Sequence, residues 1–265
     1  MKVNSKTVLI TGASRGIGYS LAKAFAKRNC SLHLVQRSDI DTDKIAELKN
    51  LGAAAVSSIP CDLSNEEEIR KLTAFFDQSK IEVDILINNA GILTGGLFEQ
   101  QDFQKIKKAF QVNILSYIQL SQYFVSKMLD RDSGYIINNA SVSGKMFLPC
   151  ASTYAATKAG VVAFTESLEQ ELRPTGVNAM VMITPGVKTE MFDEIPDLYD
   201  KHLDVKTLPS ISSDEWAEEV ISAVEKDSIS LNPKGMEKWS VKTYRFLPGL
   251  FKNLAQKSFS RQPKD

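Results

Sequence analysis

Short apolar runs alternate with stretches of helical periodicity along almost the whole chain. The runs are Thr7–Thr11, Ser31–Val35, Ala54–Ile59, Val83–Ile87, Gly134–Asn138 and Val177–Ile183. They read as strands covered on both faces, because they lack the strict apolar–polar alternation of a sheet with one wet side. The segments between them predict helices at Tyr19–Asn29, Lys44–Leu51, Ser64 to Phe76, about 102–112, about 114–129, about 152–172 and Asp214–Glu225. Ser64 and Glu67 stand at capping-box spacing at the start of the third helix. Buried strands separated by helices predict the α/β class: one domain with a doubly wound, mostly parallel sheet and helices on both faces. That domain is expected over residues 1–231. Within it, 190–212 mixes apolar and charged residues without clear period and reads as a less regular segment. Residues 232–265 form a basic amphipathic extension.

The turn after the first strand carries the first chemical signal. TGASRGIG, Thr11–Gly18, sits between a strand and a helix, the context of a dinucleotide fingerprint, although its spacing is TGxxxGxG and not GxGxxG. Gly12 permits a tight turn, Gly16 lets backbone approach a pyrophosphate, and Gly18 allows close helix–sheet packing. The free N–H groups of the helix start then suit the anion. A site for NAD usually ends its second strand on an acid that binds the ribose hydroxyls. Here that end reads Gln36, Arg37, Ser38. Arg37, together with Arg15 of the glycine turn, suits a ribose 2′-phosphate, so NADP(H) is the expected cofactor. The competing reading gives Asp39 the role of the NAD-binding acid. Three further loops follow strand ends: CDL at Cys61–Leu63, NNAG at Asn88–Gly91 and PGVKT at Pro185–Thr189. Asp62 is placed to accept from an adenine amino group, and the small residues of NNAG admit an adenosine ribose.

A Tyr–Lys pair gives the second signal. Tyr154 and Lys158 are four apart in a predicted helix and so share one face. An ammonium ~4 Å from a phenol, at an effective dielectric of about 20, is worth on the order of 4 kcal/mol, enough to lower the phenol by roughly three pKa units. That would prepare Tyr154 to exchange protons near neutrality. Ser141 lies thirteen residues upstream, and Asn113 lies where one predicted helix gives way to the next.

TGASRGIG, CDL, NNAG, Asn113, Ser141, YAATK and PGVKT, in this order over about 5–190, resemble the short-chain dehydrogenase/reductase family. The resemblance implies a Rossmann sheet of about seven strands. It implies Tyr154 as general acid/base and Lys158 as the residue that lowers its pKa and binds the nicotinamide ribose. Ser141 would hold the substrate carbonyl oxygen, and Asn113 would keep a water beside the lysine. Val187 and Thr189 match positions that meet the nicotinamide carboxamide. The expected cofactor-binding set is Gly12, Ser14, Arg15, Gly16, Ile17, Gly18, Arg37, Ser38, Asp62, Leu63, Asn89, Ala90, Gly91, Tyr154, Lys158, Pro185, Gly186, Val187 and Thr189. The family also implies a homodimer or homotetramer assembled through the helices beginning near 102 and 152. Asn139-Ala140 departs from the Ile-Ser that many relatives carry before the serine, and Ser143 is a second hydroxyl beside Ser141.

The implied activity is NADP(H)-dependent exchange of hydride with a carbonyl or secondary alcohol. The resemblance also implies that 190–212 is a lid closing over the substrate, and an apolar pocket is expected from Met191, Phe192, Ile195, Leu198 and Tyr199 with Phe147 and Leu148. A non-catalytic NADP-binding redox sensor is the alternative, disfavoured because a sensor would not need all four residues Asn113, Ser141, Tyr154 and Lys158. An NAD-dependent epimerase or dehydratase is disfavoured by Arg37 and the short lid.

Composition narrows the rest. The 265 residues are 43% hydrophobic, enough for a sizeable core, and carry 32 basic against 32 acidic residues, which gives no reason to expect nucleic acid. Cys30, Cys61 and Cys150 are dispersed and odd in number, as for reduced thiols in the cytoplasm, and two histidines are too few for a His-based metal site. The first strand begins too early for a signal peptide, and no apolar run suits a membrane span. The charge balance fails locally: residues 232–265 hold eight basic residues against two acidic ones, with Phe246, Leu247, Leu250, Phe251 and Leu254 at helical spacing. Such a helix suits peripheral contact with an anionic membrane. It also suits packing on the substrate entrance or a partner subunit, the commoner use of amphipathic helices.

Overall fold

In the computed structural model, which describes residues 1–199, 201–203 and 208–262, one parallel sheet of seven strands organises the chain. Its first six strands are β1 (Thr7–Thr11), β2 (Ser31–Gln36), β3 (Ala55–Pro60), β4 (Ile85–Asn88), β5 (Gly134–Asn139) and β6 (Val177–Met182). A short pair, β7 (Val187–Lys188) and β8 (Ile211–Ser212), stands apart, and β9 (Ser230–Leu231) completes the main sheet. The order β3-β2-β1-β4-β5-β6-β9 reverses between β1 and β4. That reversal opens a crevice at the carboxyl ends of the strands, where such sheets bind ligands.

The helices are α1 (Gly16–Ala26), α2 (Thr42–Asn50), α3 (Glu66–Ser79), α4 (Phe103–Phe110), α5 (Ser116–Asp130), α6 (Ser152–Leu172), α7 (Glu190–Asp193), α8 (Ile195–Tyr199), α9 (Ser213–Glu225), α10 (Gly235–Phe246) and α11 (Pro248–Ser258). They cover both faces of the sheet. One core joins β1, β2, α1 and α9 through Ile10, Phe25 and Trp216, and the other joins β4, α3 and α5 through Leu86, Phe76 and Phe124.

Three local expectations need correction. α1 begins at Gly16 and not at Tyr19, because Gly16 (φ +55°) turns the loop directly into helix. The cap of α3 is Asn65, whose side chain accepts from Glu67 N; the Ser64 hydroxyl is instead engaged by Asp62 at 2.8 Å. A π-helical turn, Gln111–Leu115, joins α4 to α5 without a break. The lid expected at 190–212 contains α7, α8 and β8, but Asp200 and residues 204–207 lie outside the described residues, as do Lys264 and Asp265 of the tail. Among the described residues no helix is long and apolar enough to cross a membrane, and no cluster suits a metal ion.

Candidate active site

The glycine turn is packed closely against the end of β4. Gly12 (φ +66°) lies so near the β4 loop that a Cβ there would stand 2.7 Å from Ala90 Cα, and a Cβ on Gly18 would stand 2.2 Å from the Gly12 carbonyl. α1 starts without a side-chain cap and without an acid in its first turn. α2, α3, α4 and α9, by contrast, are capped by Asp41, Asn65, Asp102 and Ser212. The uncapped N–H groups of α1 therefore remain available to an anion in the cavity lined by Gly12, Ser14, Gly16 and Ile17.

The cations of this end are arranged differently from expectation. Arg15 is ion-paired with Glu190 of α7, so its charge is partly spent inside the protein. Arg37 is exposed at the end of β2, lines the cavity and makes no ion pair among the described residues. Lys44 Nζ donates to the Ser14 carbonyl at 2.7 Å, and Lys108 also lines the cavity. The sequence reading missed both, because α2 and α4 each carry more than one lysine and no local pattern marks which of them turns to this end. Asp39 accepts from Ser58 Oγ at 3.3 Å, which engages it on β3. Burial raises the Asp62 carboxyl, but two hydrogen bonds from Ser64 and the nearby Lys108 and Arg37 more than offset this and leave it below its usual range. Leu63, Asn89 and Gly91 line the same cavity, whereas Ser38 is exposed at its edge and not among its walls.

A chain of buried amides ties the strand ends together. Thr11 Oγ1 accepts from Asn89 N at 2.9 Å and Ala90 N at 3.1 Å. The Asn89 side chain donates to the Thr11 carbonyl and accepts from Asn139 Nδ2 at 2.9 Å; Thr184 Oγ1 donates to Asn139 Oδ1 at 2.5 Å. Asn139, noted in the sequence only as a departure, thus links β4, β5 and β6. Its carbonyl also accepts from Lys158 Nζ at 2.7 Å.

Around that lysine the four candidate residues converge. The Ser141 hydroxyl hydrogen-bonds the Tyr154 phenol and accepts from Ser143 N at 3.1 Å, so Ser141 and not Ser143 faces the tyrosine. Asn113 lies in the π turn, fully buried. Its Oδ1 accepts from Ile92 N at 2.8 Å, and its Nδ2 donates to the Ile92 carbonyl and to Thr157 Oγ1. Gly91 is the spacer: a Cβ there would stand 3.5 Å from Asn113 Oδ1 and 3.7 Å from Lys158 Nζ.

The expected pKa effect is reversed. Burial pushes the Tyr154 phenol up to about 12, opposed by the hydrogen bond from Ser141, and pushes Lys158 down to about 7. The ammonium is 5.9 Å from the Tyr154 ring centre and 5.5 Å from that of Tyr117. A lysine that loses its charge near neutrality cannot supply the full Coulomb attraction, and desolvation of both groups wins over their pairing.

The cavity, about 720 Å³, continues from the glycine turn past Tyr154 to an apolar end. Leu148, Met191, Phe192, Ile195 and Tyr199 line it as expected. Phe147 does not; it turns outward and stacks on Tyr244 at 5.3 Å. Leu198 packs in the small core with Tyr199 and Leu203. Met236, Glu237 and Ser240 of α10 also line the cavity, and Glu237 accepts from Gly186 N at 2.8 Å. Their spacing of three to four was legible as one helix face, but not as a cavity wall. A broader groove of about 960 Å³ lies along α4 and α6 and contains none of the four candidate residues.

The fold and site define an α/β protein of the Rossmann type with its candidate chemistry at the topological switch point. The family model described as short chain dehydrogenase matches residues 6–199, and the chain belongs to that family of oxidoreductases. A ketoacyl reductase, HetN, of Nostoc sp. is 35% identical over 69% of this chain, and the match spans 64% of that protein's length. An uncharacterized oxidoreductase of Staphylococcus epidermidis is 35% identical over 70% of this chain and 79% of its own. Among solved structures, a short-chain dehydrogenase from Sphingobium yanoikuyae in complex with NADPH superposes with a TM-score of 0.80 at 27% identity, covering 98% of this chain and 99% of the other. The bulky-bulky ketone specific alcohol dehydrogenase from Comamonas testosteroni superposes with a TM-score of 0.75 at 25% identity, covering 97% and 96%.

Proposed function

We propose that this chain is an NADP(H)-dependent carbonyl reductase or alcohol dehydrogenase acting on an apolar small molecule. The observation that carries the proposal is the Ser141–Tyr154 hydroxyl pair on the wall of a cavity that is glycine-lined at one end and apolar at the other. The cofactor, when bound, supplies or accepts the hydride. The residues that would hold it are the α1 N-terminus, Arg37, the Asn89–Gly91 loop, Lys158 and the Pro185–Thr189 loop. The relatives with NADPH bound, or named for ketoacyl and ketone substrates, support the same class of reaction.

Tyr154, protonated up to about 12, is poised to give its proton to a carbonyl oxygen, and Ser141 donates a second hydrogen bond to that oxygen. Lys158, with a pKa near 7, can take up and release protons at neutral pH and so restore the tyrosine. Asn113 acts by holding Ile92 and Thr157 in place beside them. Oxidation of the alcohol runs the same transfers in reverse. The Phe103, Phe110 and Leu115 side chains exposed along α4 and the π turn support pairing of copies into a dimer or tetramer.

Tyr154→Phe tests the reading. Turnover of an apolar ketone with NADPH is expected to fall by about 10²- to 10⁴-fold, the usual worth of a positioned acid. NADPH binding, followed by fluorescence titration, should be nearly unchanged. Normal turnover in this variant would remove Tyr154 from the chemistry.

A further inference from the structure

α10 and α11 form a helical hairpin with two unlike faces. On the inner face Glu237 holds Gly186 N, and Tyr244 stacks on Phe147 and, at 5.2 Å, on Phe251. Beyond α11, Phe259 joins the small core of Tyr199 and Leu203, and Arg261 pairs with Glu99. The hairpin is therefore fastened to the cavity wall at both ends.

Its outer face has no such partners. Trp239, Phe246, Leu247, Leu250 and Leu254 are 51–72% exposed, five of the fifteen large apolar side chains exposed among the described residues. They fall on two helices of 12 and 11 residues and on Leu247 between them, so the concentration is local. Trp239 and Phe246 are seven apart and share a stripe of α10 with Lys242 between them; Leu247, Leu250 and Leu254 repeat that spacing along α11. At the corner, every residue from Arg245 to Leu250 is exposed. Lys238, Lys242, Arg245, Lys252 and Lys257 make no ion pair among the described residues. The one acid of the two helices, Glu237, is on the inner face.

We propose that this hairpin docks on an anionic lipid bilayer. Phe246, Leu247 and Leu250 enter the boundary between headgroups and acyl chains, and Lys238, Lys242 and Arg245 meet the lipid phosphates. Apolar side chains interleaved with uncompensated cations are what such a boundary rewards. A second copy in a symmetric contact would set cations against cations. Nucleic acid would satisfy the lysines but leave the aliphatic corner in water. Because Met236 and Ser240 belong to the cavity wall, the element that meets the membrane is also part of the substrate chamber.

The test is co-sedimentation of the full chain with phosphatidylcholine vesicles, with and without phosphatidylglycerol, at low and high salt. Binding is expected only with phosphatidylglycerol and should weaken with salt. Lys238→Gln/Lys242→Gln/Arg245→Gln should weaken it about a hundredfold, from the contribution of three surface cations. Phe246→Ser/Leu247→Ser/Leu250→Ser should weaken it by about tenfold or more with the cations intact. All six side chains are exposed, so an unchanged melting temperature checks that the fold survives. Absence of binding to the anionic vesicles overturns the proposal. So does binding that survives both triple variants. Self-association or oligonucleotide retention without vesicle binding assigns the face elsewhere and also overturns it.

Discussion

Residues 6–189 and residues 190–262 build the same cavity by different physical means. The first region contributes backbone, loop ends and fixed hydrogen bonds, and all four candidate residues at the Tyr154 end belong to it. The second contributes side chains from α7, α8 and α10 that wall the apolar end. The glycines show the contrast. Gly12 and Gly18 are closed in, with a Cβ meeting backbone at 2.7 and 2.2 Å, whereas a Cβ on Gly249 would meet nothing within 4 Å. The frame is tightly packed where it meets the glycine turn, and the tail beyond the cavity is not. Chemistry that needs fixed distances belongs on the first, and selectivity that varies with substrate belongs on the second.

The largest effect expected in the frame comes from Lys158→Met. Burial lowers the Lys158 pKa from its ordinary 10.5 to about 7 in the folded protein. Between those values the unfolded chain binds a proton that the folded one does not, so stability rises with pH across that window. The penalty is complete below about pH 7 and gone above about pH 10.5. Removing the amine should therefore stabilise the fold at pH 6 by on the order of a few kcal/mol, less the lost hydrogen bond to Asn139, while turnover collapses. Urea unfolding at pH 6 and near pH 10 reads the difference. A gain equal at both pH values, or no gain, would show that Lys158 is not held against its charge.

A smaller effect is expected at the cofactor end, where Arg37 makes no ion pair among the described residues and Arg15 is tied to Glu190. Arg37→Ala should weaken NADPH by about tenfold or more, the worth of a charge-assisted hydrogen bond, and leave NADH within about twofold. Arg15→Ala should cost less. If the unaltered protein binds NADPH and NADH equally, the argument from Arg37 fails. If Lys44→Ala carries the loss instead, the cation has been misplaced by one helix.

These residues also show what was legible in the sequence. The strand–helix alternation, the glycine turn and the order of motifs depend on local period and local backbone demands, so the sheet and the neighbourhood of Tyr154 could be read in advance. The two-residue β9 is too short to carry a period. The π turn holding Asn113 reads as a boundary between two helices, and the break between α10 and α11 is marked only by Pro248 and Gly249. The pKa values were misread because the i, i+4 spacing shows the proximity of Tyr154 and Lys158 but not their burial, which comes from distant segments. The Arg15–Glu190 and Glu237–Gly186 contacts join segments far apart in the chain, and no local pattern announces them. Asn139 was visible as an anomaly, and only the neighbouring strands explain it.

The smallest effect separates shape from chemistry most cleanly. Glu237 reaches from α10 into the frame through the Gly186 N–H, and burial raises its carboxyl above the usual range against the effect of that hydrogen bond. An acid with a raised folded pKa weakens the fold as pH rises past its unfolded value, so a neutral acceptor of the same shape costs nothing once the carboxyl is ionised. Glu237→Gln should keep kcat and KM close to those of the parent. Glu237→Ala leaves Gly186 N without its partner and should loosen the Pro185–Thr189 loop, raising KM by about fivefold with kcat unchanged. Rescue by Gln and not by Ala marks a positioning residue. A fall in kcat for Glu237→Ala comparable to that of Tyr154→Phe would instead place the tail inside the chemistry, and the division between frame and wall would no longer hold.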